Sequence, residues 1–334
     1  MKTVTISDVA RHAQTSKSTV SQFLNKRYDY MRDDTKKRIE AAIEELGYSP
    51  NIVARSLKQK STKTIGVIVA NILHVFSTQV IRAIEDFCND SNYHVIVCNA
   101  DDDPAKEKRY IEMLRAKQVD GIIAFPTGGN VDLYKKLISE SYPLVFLDRK
   151  VQEISVNTVL LDNEKAAKIA VDEFVKTGYD KIGIITPSLE KGITPRVERV
   201  SGFKKALEEH GLPVKPEYIV SAKIADIQRE LEKMLNLPEP PKAILALNDR
   251  VLFEILKYAK EHSLKIPEDI AVIGIDDVSF AGFYSPELTT IAQPAFDMGK
   301  KAAELLLNRI ASKGSEVEVN TFRFDPQLKK RSSC

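Results

Sequence analysis

Residues 4–25 read Val4-Thr5-Ile6-Ser7-Asp8-Val9-Ala10-Arg11-His12-Ala13, then Gln14-Thr15-Ser16, then Lys17-Ser18-Thr19-Val20-Ser21-Gln22-Phe23-Leu24-Asn25. Ile6, Val9, Ala10 and Ala13 recur at helical spacing, and Val20, Phe23 and Leu24 form a facing stripe, so the stretch predicts two short helices around a tight turn. Ser16 suits the N-cap of the second helix. Lys17, Ser18 and Gln22 then project outward from its first turns. A helix held at a fixed angle in this way fits the DNA major groove, where lysine donates to guanine and glutamine pairs with adenine through two atoms. These three residues are the expected base readers. Thr5, Ser16, Thr19, Ser21, Asn25 and Thr35 suit phosphate oxygens, which set register without reading sequence. Taken alone, the segment favours DNA binding, with a small helical bundle with a polar face as the alternative.

The residues that follow narrow the choice. After the basic loop around Lys26 and Arg27, a third amphipathic helix is expected over 34–46, with Ile39, Ala42, Ile43 and Leu46 inward and Gly47 at its end. Then comes Tyr48-Ser49-Pro50-Asn51-Ile52-Val53-Ala54-Arg55-Ser56-Leu57-Lys58. Proline starts a short helix here, and Ala54 is small enough for close pairing with another helix. Leu57 is an apolar tip between Arg55 and Lys58, which suits a wedge in the minor groove; Asn51 and Arg55 suit the DNA backbone. As a plain linker helix, the same segment would dock Leu57 on a neighbouring domain. Residues 1–61 carry 12 Lys+Arg against 7 Asp+Glu, although the whole chain is only +2. The basic share therefore lies at this end, which supports DNA contact without deciding it.

On these stretches the chain resembles the LacI/GalR family of bacterial transcription regulators, and the resemblance extends over nearly its whole length. It implies that 1–48 is a DNA-binding headpiece, that 49–61 holds a hinge helix, and that Leu57 stands at the family's intercalating leucine. Two departures are visible. Gln14 and Thr15 replace the usual glycine and small apolar residue of the turn, and Arg32 stands where a serine-type cap of the third helix is common. Both predict a less stable headpiece, because a left-handed turn position is costly without glycine.

The chain has 334 residues, enough for two or three domains with a large core. No apolar run approaches the roughly 20 residues of a membrane span, and no leader is legible before the first helix, so a cytoplasmic protein is expected. Cys88, Cys98 and Cys334 have neither disulfide-framework nor metal-ligand spacing. No cofactor or metal is implied.

Beyond residue 61, strand-like runs at 64–70, 93–99, 121–125, 144–147, 158–161, 181–186, 217–221, 243–246 and 271–275 alternate with amphipathic stretches such as 79–91, 106–117, 165–177, 197–211, 227–235 and 250–262. Apolar strands separated by helices imply parallel sheets covered on both faces, here two doubly wound subdomains. Ligands of such folds bind at the carboxyl ends of the strands. The family resemblance adds what periodicity cannot show: a periplasmic-binding-protein-like sensor over 62–334 whose chain crosses between subdomains near 161–163, 291–293 and 323–326. One subdomain then comprises about 62–161 plus 293–323, with helix 297–311 returning to it; the other comprises about 162–292 plus 324–334.

Strand ends and nearby loops supply the expected effector contacts: Asn71, Phe76 and Ser77, with His74 beside them; Asp148 and Arg149; Arg199; Asn248; Asp276; and Gln293. By resemblance, Asp148, Arg199, Asn248 and Asp276 stand at sugar-contacting positions and Phe76 at an apolar wall. Carboxylates and amides suit vicinal hydroxyls, and an aromatic ring covers an apolar sugar face. Loop capping is the plainer role for Asn248, Asp276 and Asp277. Arg149 and Arg199, with Lys150 and Arg196 nearby in sequence, could hold a carboxylate or phosphate. That points to a sugar acid or sugar phosphate, and within the family the chain resembles Bacillus-type regulators of 2-keto-3-deoxygluconate use; structural pairing is the alternative for Arg149.

Phe280, Phe283 and Tyr284 are more aromatic than a solvated loop needs and are assigned to a dimer interface. No leucine heptads follow Lys313, so a dimer is expected rather than a tetramer. The implied partners are a near-palindromic DNA operator, a small effector and a second copy of the chain. A transport-type solute receptor shares the sensor fold but has no use for Lys17, Gln22 and Leu57. Nucleophile-elbow, P-loop and zinc-protease motifs are lacking, which argues against an enzyme.

Overall fold

The computed structural model describes residues 4–29, 31–49, 61–312 and 318–334. Two compact units are present, Met1–Thr62 and Lys63–Cys334. The expected hinge residues Asn51, Ala54, Arg55 and Leu57 lie outside the described residues.

The first unit is built from α1 (Ile6–His12), α2 (Lys17–Leu24) and α3 (Asp33–Glu45). Val9, Ala10, Ala13, Val20, Ile39 and Ala42 form its buried centre, with Ile6, Phe23, Leu24, Ile43 and Leu46 packed around it. These are the apolar positions that the periodicity selects, so the sequence pattern and the packing agree. The third helix stops at Gly47, whose φ of +57° is the left-handed C-terminal conformation that glycine adopts without a Cβ penalty. Gln14 adopts φ +48° in the turn, so the glycine-free turn does carry the strained backbone expected of it.

The second unit contains two six-stranded sheets. The first has the order β11-β5-β4-β3-β1-β2, formed by Thr64–Val69 (β1), His94–Asn99 (β2), Gly121–Ala124 (β3), Leu144–Leu147 (β4), Thr158–Leu161 (β5) and Thr321–Phe324 (β11). The second has the order β12-β10-β9-β8-β6-β7, formed by Ile182–Pro187 (β6), Ile219–Ala222 (β7), Ala243–Ala246 (β8), Ala271–Ile275 (β9), Thr289–Ala292 (β10) and Gln327–Lys329 (β12). All pairings are parallel except β10 with β12. The central strands are apolar and buried along their length, as a sheet covered by helices on both faces requires.

The chain passes from one sheet to the other after β5, after β10 and between β11 and β12. Helices α4 (Val75–Asp90), α5 (Pro104–Ala116), α6 (Val131–Ser139) and α11 (Ala295–Ala311) belong with the first sheet; α7 (Asn163–Lys176), α8 (Thr194–Glu209), α9 (Ile227–Leu235) and α10 (Asp249–Glu261) belong with the second. The return of α11 is close. A Cβ on Gly299 would stand 2.8 Å from the Val80 carbonyl oxygen of α4.

Several expected boundaries shift. Residues 216–218 form a 3-10 turn, and the strand expected from 217 starts at Ile219 because Pro216 has no N–H to give a ladder. Helix α4 starts at Val75 rather than 79, α8 at Thr194 rather than 197, and α11 at Ala295 rather than 297. None of the three has a side-chain cap from its own N-cap residue, although Pro195 in the first turn of α8 is a start signal that the expected boundary passes over.

Candidate functional site

Helix α2 is held at its start by Ser16, whose Oγ accepts the Thr19 N–H at 3.1 Å and lies 2.6 Å from the Ser18 hydroxyl and 2.8 Å from that of Thr19. At its end the Asn25 side chain donates to the Ser21 carbonyl at 2.6 Å. Lys17, Ser18 and Gln22 are exposed, while Val20 is fully buried below them. Burial on one face and polarity on the other leave this helix a free surface for a groove. Ser21, Thr19 and Thr35 are half-buried. Thr5 is exposed, but its hydroxyl and N–H both donate to Asp8 Oδ2, at 2.7 and 3.0 Å, so it also serves as a cap of α1.

In the second unit a cleft of about 50 Å³ opens at the carboxyl ends of the strands of both sheets, lined among others by Asn71, Phe76, Ser77, Asp148, Arg149, Arg199, Asn248, Asp276 and Gln293. These are the nine expected effector contacts; Arg199 comes from a helix and Gln293 from a crossing between the sheets. His74, Phe125, Pro187, Pro195, Arg196 and Leu247 complete much of the wall. Phe76 and Ser77 sit in the first turn of α4 rather than in a loop. Phe76 packs edge-on against Phe125, ring centroids 6.4 Å apart, and gives the cleft an apolar side. Lys150 is exposed and is not part of the wall.

Most of the polar wall is already engaged with the protein. Arg199 is 5% exposed; its Nε donates to Asn163 Oδ1 at 2.9 Å and its Nη1 to the Leu247 carbonyl at 2.7 Å. Asn248 caps α10, accepting the Val251 N–H at 2.9 Å, and Asn71 Oδ1 accepts the Leu73 N–H at 2.9 Å. Arg149 Nη1 donates to Asp102 Oδ1 at 2.6 Å, and Arg196 Nη2 donates to Asp102 Oδ2 at 3.0 Å. Two buried atoms on the wall make no hydrogen bond: Gln293 Oε1, an acceptor, and Arg149 Nε, a donor whose carboxylate neighbour, Asp148 Oδ2, lies at 3.4 Å. Buried polar groups are normally paired, so these two mark where a ligand would place an acceptor and a donor.

Asp276 is an acidic residue of the wall, and Asp249 lies next to it. Gln293 Nε2 donates to Asp276 Oδ1 at 2.6 Å, and the Asp249 N–H donates to Asp276 Oδ2 at 3.3 Å. Burial, then the nearby Asp249 charge, raises the Asp276 carboxyl above the ordinary carboxylate range, against the pull of Arg199. Asp249 is lowered: burial works against its charge, but the hydrogen bond from His74 and the backbone N–H groups of Val75 and Arg250 outweigh it. His74 Nδ1 lies 2.5 Å from Asp249 Oδ1, and the Val75 N–H donates to Asp249 Oδ2 at 2.8 Å. Thus a carboxylate at the start of α10 supplies the missing cap of α4 and ties the two halves together across the cleft.

Sequence reasoning placed Asp249 beside Asn248 at a strand end among the candidate effector residues, but missed Asp102. The signal of Asp102 is weak, since it is one of three consecutive aspartates in a turn, where that residue is common anyway. Asp102, Asp148 and Asp276 share one further feature, a positive φ of 54°, 67° and 86°. Left-handed aspartates at strand ends re-aim the chain toward the cleft.

Of the expected interface aromatics, Phe283 is 78% exposed, while Phe280 and Tyr284 are half-buried. Phe280 packs edge-on against Phe253, centroids 5.2 Å apart, and Phe253 is itself 57% exposed. Among the described residues no helix is long and apolar enough to cross a membrane.

Comparisons with known proteins agree with both units. Residues 5–51 match the family described as "Bacterial regulatory proteins, lacI family", and residues 171–334 match a "Periplasmic binding protein-like domain". The chain is 50% identical over 332 residues to the probable HTH-type transcriptional regulator EndR of Paenibacillus polymyxa, covering 98% of each chain. It is 35% identical over 315 residues to the HTH-type transcriptional regulator KdgR of Bacillus subtilis (strain 168), covering 92% of this chain and 91% of that one. Among solved structures, the Lac repressor dimer bound to operator and the anti-inducer ONPF is similar at 26% identity with a TM-score of 0.86, covering 99% of both chains.

Proposed function

Because this chain belongs to the lacI family of bacterial regulatory proteins, a transcription regulator and not an enzyme, we propose that it acts in the cytoplasm as a homodimeric repressor of carbohydrate-use genes. Lys17, Ser18 and Gln22 read base edges in the major groove. Thr5, Ser16, Thr19, Ser21, Asn25 and Thr35, with Asn51 and Arg55, hold the backbone. Paired hinge helices meet at Ala54, and Leu57 wedges into the minor groove at the centre of a near-palindromic operator. Phe280, Phe283 and Tyr284 contribute to the contact between copies, where exposed aromatic area is best buried.

The cleft takes a small polyhydroxylated effector, a sugar or sugar acid. The observation that carries this reading is a pair of buried atoms on the wall that make no hydrogen bond, Gln293 Oε1 and Arg149 Nε, the latter 3.4 Å from Asp148 Oδ2. A hydroxylated ring offers a donor to the first and an acceptor to the second, and Phe76 faces its apolar side. Asp148, Asp276, Arg199, Asn248, Asn71 and Ser77 supply the remaining polar wall. Effector shifts the operator-bound population only through its different affinity for the two arrangements of the sensor. The test is the Leu57→Ala variant of the full chain. It is expected to lose specific operator affinity in a gel shift while sugar-dependent thermal stabilisation persists; unchanged operator affinity overturns the wedge, and loss of both properties points to misfolding.

A further inference from the structure

We propose that Asp102 is a resident stand-in for the anionic group of a sugar acid: its carboxylate holds the place between Arg149 and Arg196 that an effector's carboxylate or phosphate takes, and its displacement releases a clamp across the cleft. The inference rests on the reading of the cleft as an effector site and names the class of ligand it selects.

The carboxylate is divided between two guanidiniums. Asp102 Oδ1 accepts from Arg149 Nη1 at 2.6 Å, and Oδ2 accepts from Arg196 Nη2 at 3.0 Å. Arg149 follows β4 in the first half of the sensor, whereas Arg196 lies on α8 in the second, so a single carboxylate bridges the halves. The Lys191 ammonium of the second half donates to the Asp102 carbonyl at 2.7 Å as well. Nearby, Thr194 Oγ1 accepts the Lys150 N–H at 3.1 Å. Both arginines line the cleft.

Two further observations point to a ligand. The Arg149 side chain is only 6% exposed, and its Nε makes no hydrogen bond, although Asp148 Oδ2 lies 3.4 Å away, so Asp102 satisfies this guanidinium incompletely. An anion in the cleft can reach Nε as well as the outer nitrogens, which makes the exchange favourable. Asp102 is also ionised more readily than an ordinary carboxylate. Burial opposes its charge, but Arg149 first, then Arg196 and His74, outweigh that. The place between the arginines therefore holds a negative charge when no effector is bound, and one anion replaces another without leaving either guanidinium bare. Since Asp101 and Asp102 have consecutive positive φ values, 53° and 54°, the loop that carries the carboxylate is held in a conformation that non-glycine residues rarely adopt.

The test uses the full chain as wild type, Asp102→Asn, and Arg196→Gln. Melting temperature is followed in titrations with D-gluconate, D-galacturonate and inorganic phosphate, with D-glucose and D-galactose as uncharged controls. With the resident charge removed, half-saturating concentrations of the anions are expected to fall about tenfold in Asp102→Asn, a change of about 1.4 kcal/mol, while the curves for uncharged sugars stay in place. Arg196→Gln is expected to raise them by a similar factor. An unchanged anion response in Asp102→Asn, or an equal gain for uncharged sugars, makes Asp102 a structural support and overturns the proposal. If Asp102→Asn does not fold, Arg196→Gln decides, since it leaves Asp102 its bond to Arg149: an unaltered anion response overturns the stand-in. Saturable binding of uncharged sugars with no anion response in any protein overturns the stand-in and leaves the effector reading intact. A phosphate response tightened in Asp102→Asn with no sugar response anywhere supports the anion site and overturns the effector reading. No response to any probe in any protein overturns both.

Discussion

Arg199→Ala removes a side chain on which both the packing and the proposed response to effector depend. Arg199 is 5% exposed and makes two charge-assisted hydrogen bonds, to Asn163 Oδ1 at 2.9 Å and to the Leu247 carbonyl at 2.7 Å. Asn163 is itself 1% exposed, so its Oδ1 gains no water in exchange. Each such bond contributes about 1.5–3 kcal/mol, which gives an expected loss of about 4 kcal/mol. For a unit of this size that corresponds to a fall in melting temperature of about 10 °C. The substitution also removes the cation that opposes the rise of Asp276, so the Asp276 carboxyl takes up its proton more readily still. Arg199→Lys keeps a charge but cannot reproduce the fork, and is expected to recover about half the loss. Thermal unfolding of the full chain measures the first quantity, and a gel shift with and without effector measures the second. Operator binding should persist below the lowered melting temperature while its response to effector disappears. A fall of less than about 3 °C together with an intact response would refute the reasoning, because it would mean that the two bonds are not formed in solution.

Three further outcomes are expected. Gln14→Gly relieves the left-handed turn, where Gln14 has φ +48°, and should raise headpiece stability by about 1 kcal/mol, read from denaturant unfolding of the full chain followed by a headpiece probe. Gly202→Ala would place a Cβ 2.5 Å from the Glu164 carbonyl oxygen and 2.6 Å from its Cα, both backbone atoms of α7; prising α7 and α8 apart should cost about 3 kcal/mol, and an unaltered melting temperature would show that the helices are not so close. The pH dependence should carry two opposed contributions. Asp276 has a raised carboxyl in the native state, so its contribution is full below the unfolded carboxylate value and is lost as pH rises through the native one; Asp249 is lowered, so its contribution is present above the unfolded value and is lost as pH falls through the native one. Asp276→Asn removes only the first, and its melting temperature relative to wild type should climb with pH; parallel curves would contradict the raised carboxyl.

The headpiece was legible because its signals are local. The stripe from Ile6 to Leu24, the Ser16 cap and Gly47 each act within about one helical turn, and the cost of Gln14 is a property of a single dihedral. The cleft wall was legible for a different reason. In parallel sheets the carboxyl ends of all strands come to one edge, so Asn71, Asp148, Asn248 and Asp276 could be brought together without knowing a single contact. The beginnings of α4 and α11 were hidden, and for α4 the reason is clear: its first N–H group is satisfied by Asp249, 174 residues away.

Sequence by itself therefore determined the three helices of the first unit, the alternation that builds two sheets, and the gathering of strand-end residues such as Asn71, Asp148, Asn248 and Asp276 at one cleft. The order of strands at the crossings came from family resemblance, since no local pattern tells β11 and β12 which sheet to join. Only the tertiary structure decided which groups on the wall are already paired. Arg149 and Arg196 looked like two cations free for a ligand until Asp102, 47 residues before one and 94 before the other, was found between them. The physical reason is one of range: periodicity and backbone preference act over a few residues, whereas the partner of a buried charge is whichever group the completed fold brings within hydrogen-bond distance.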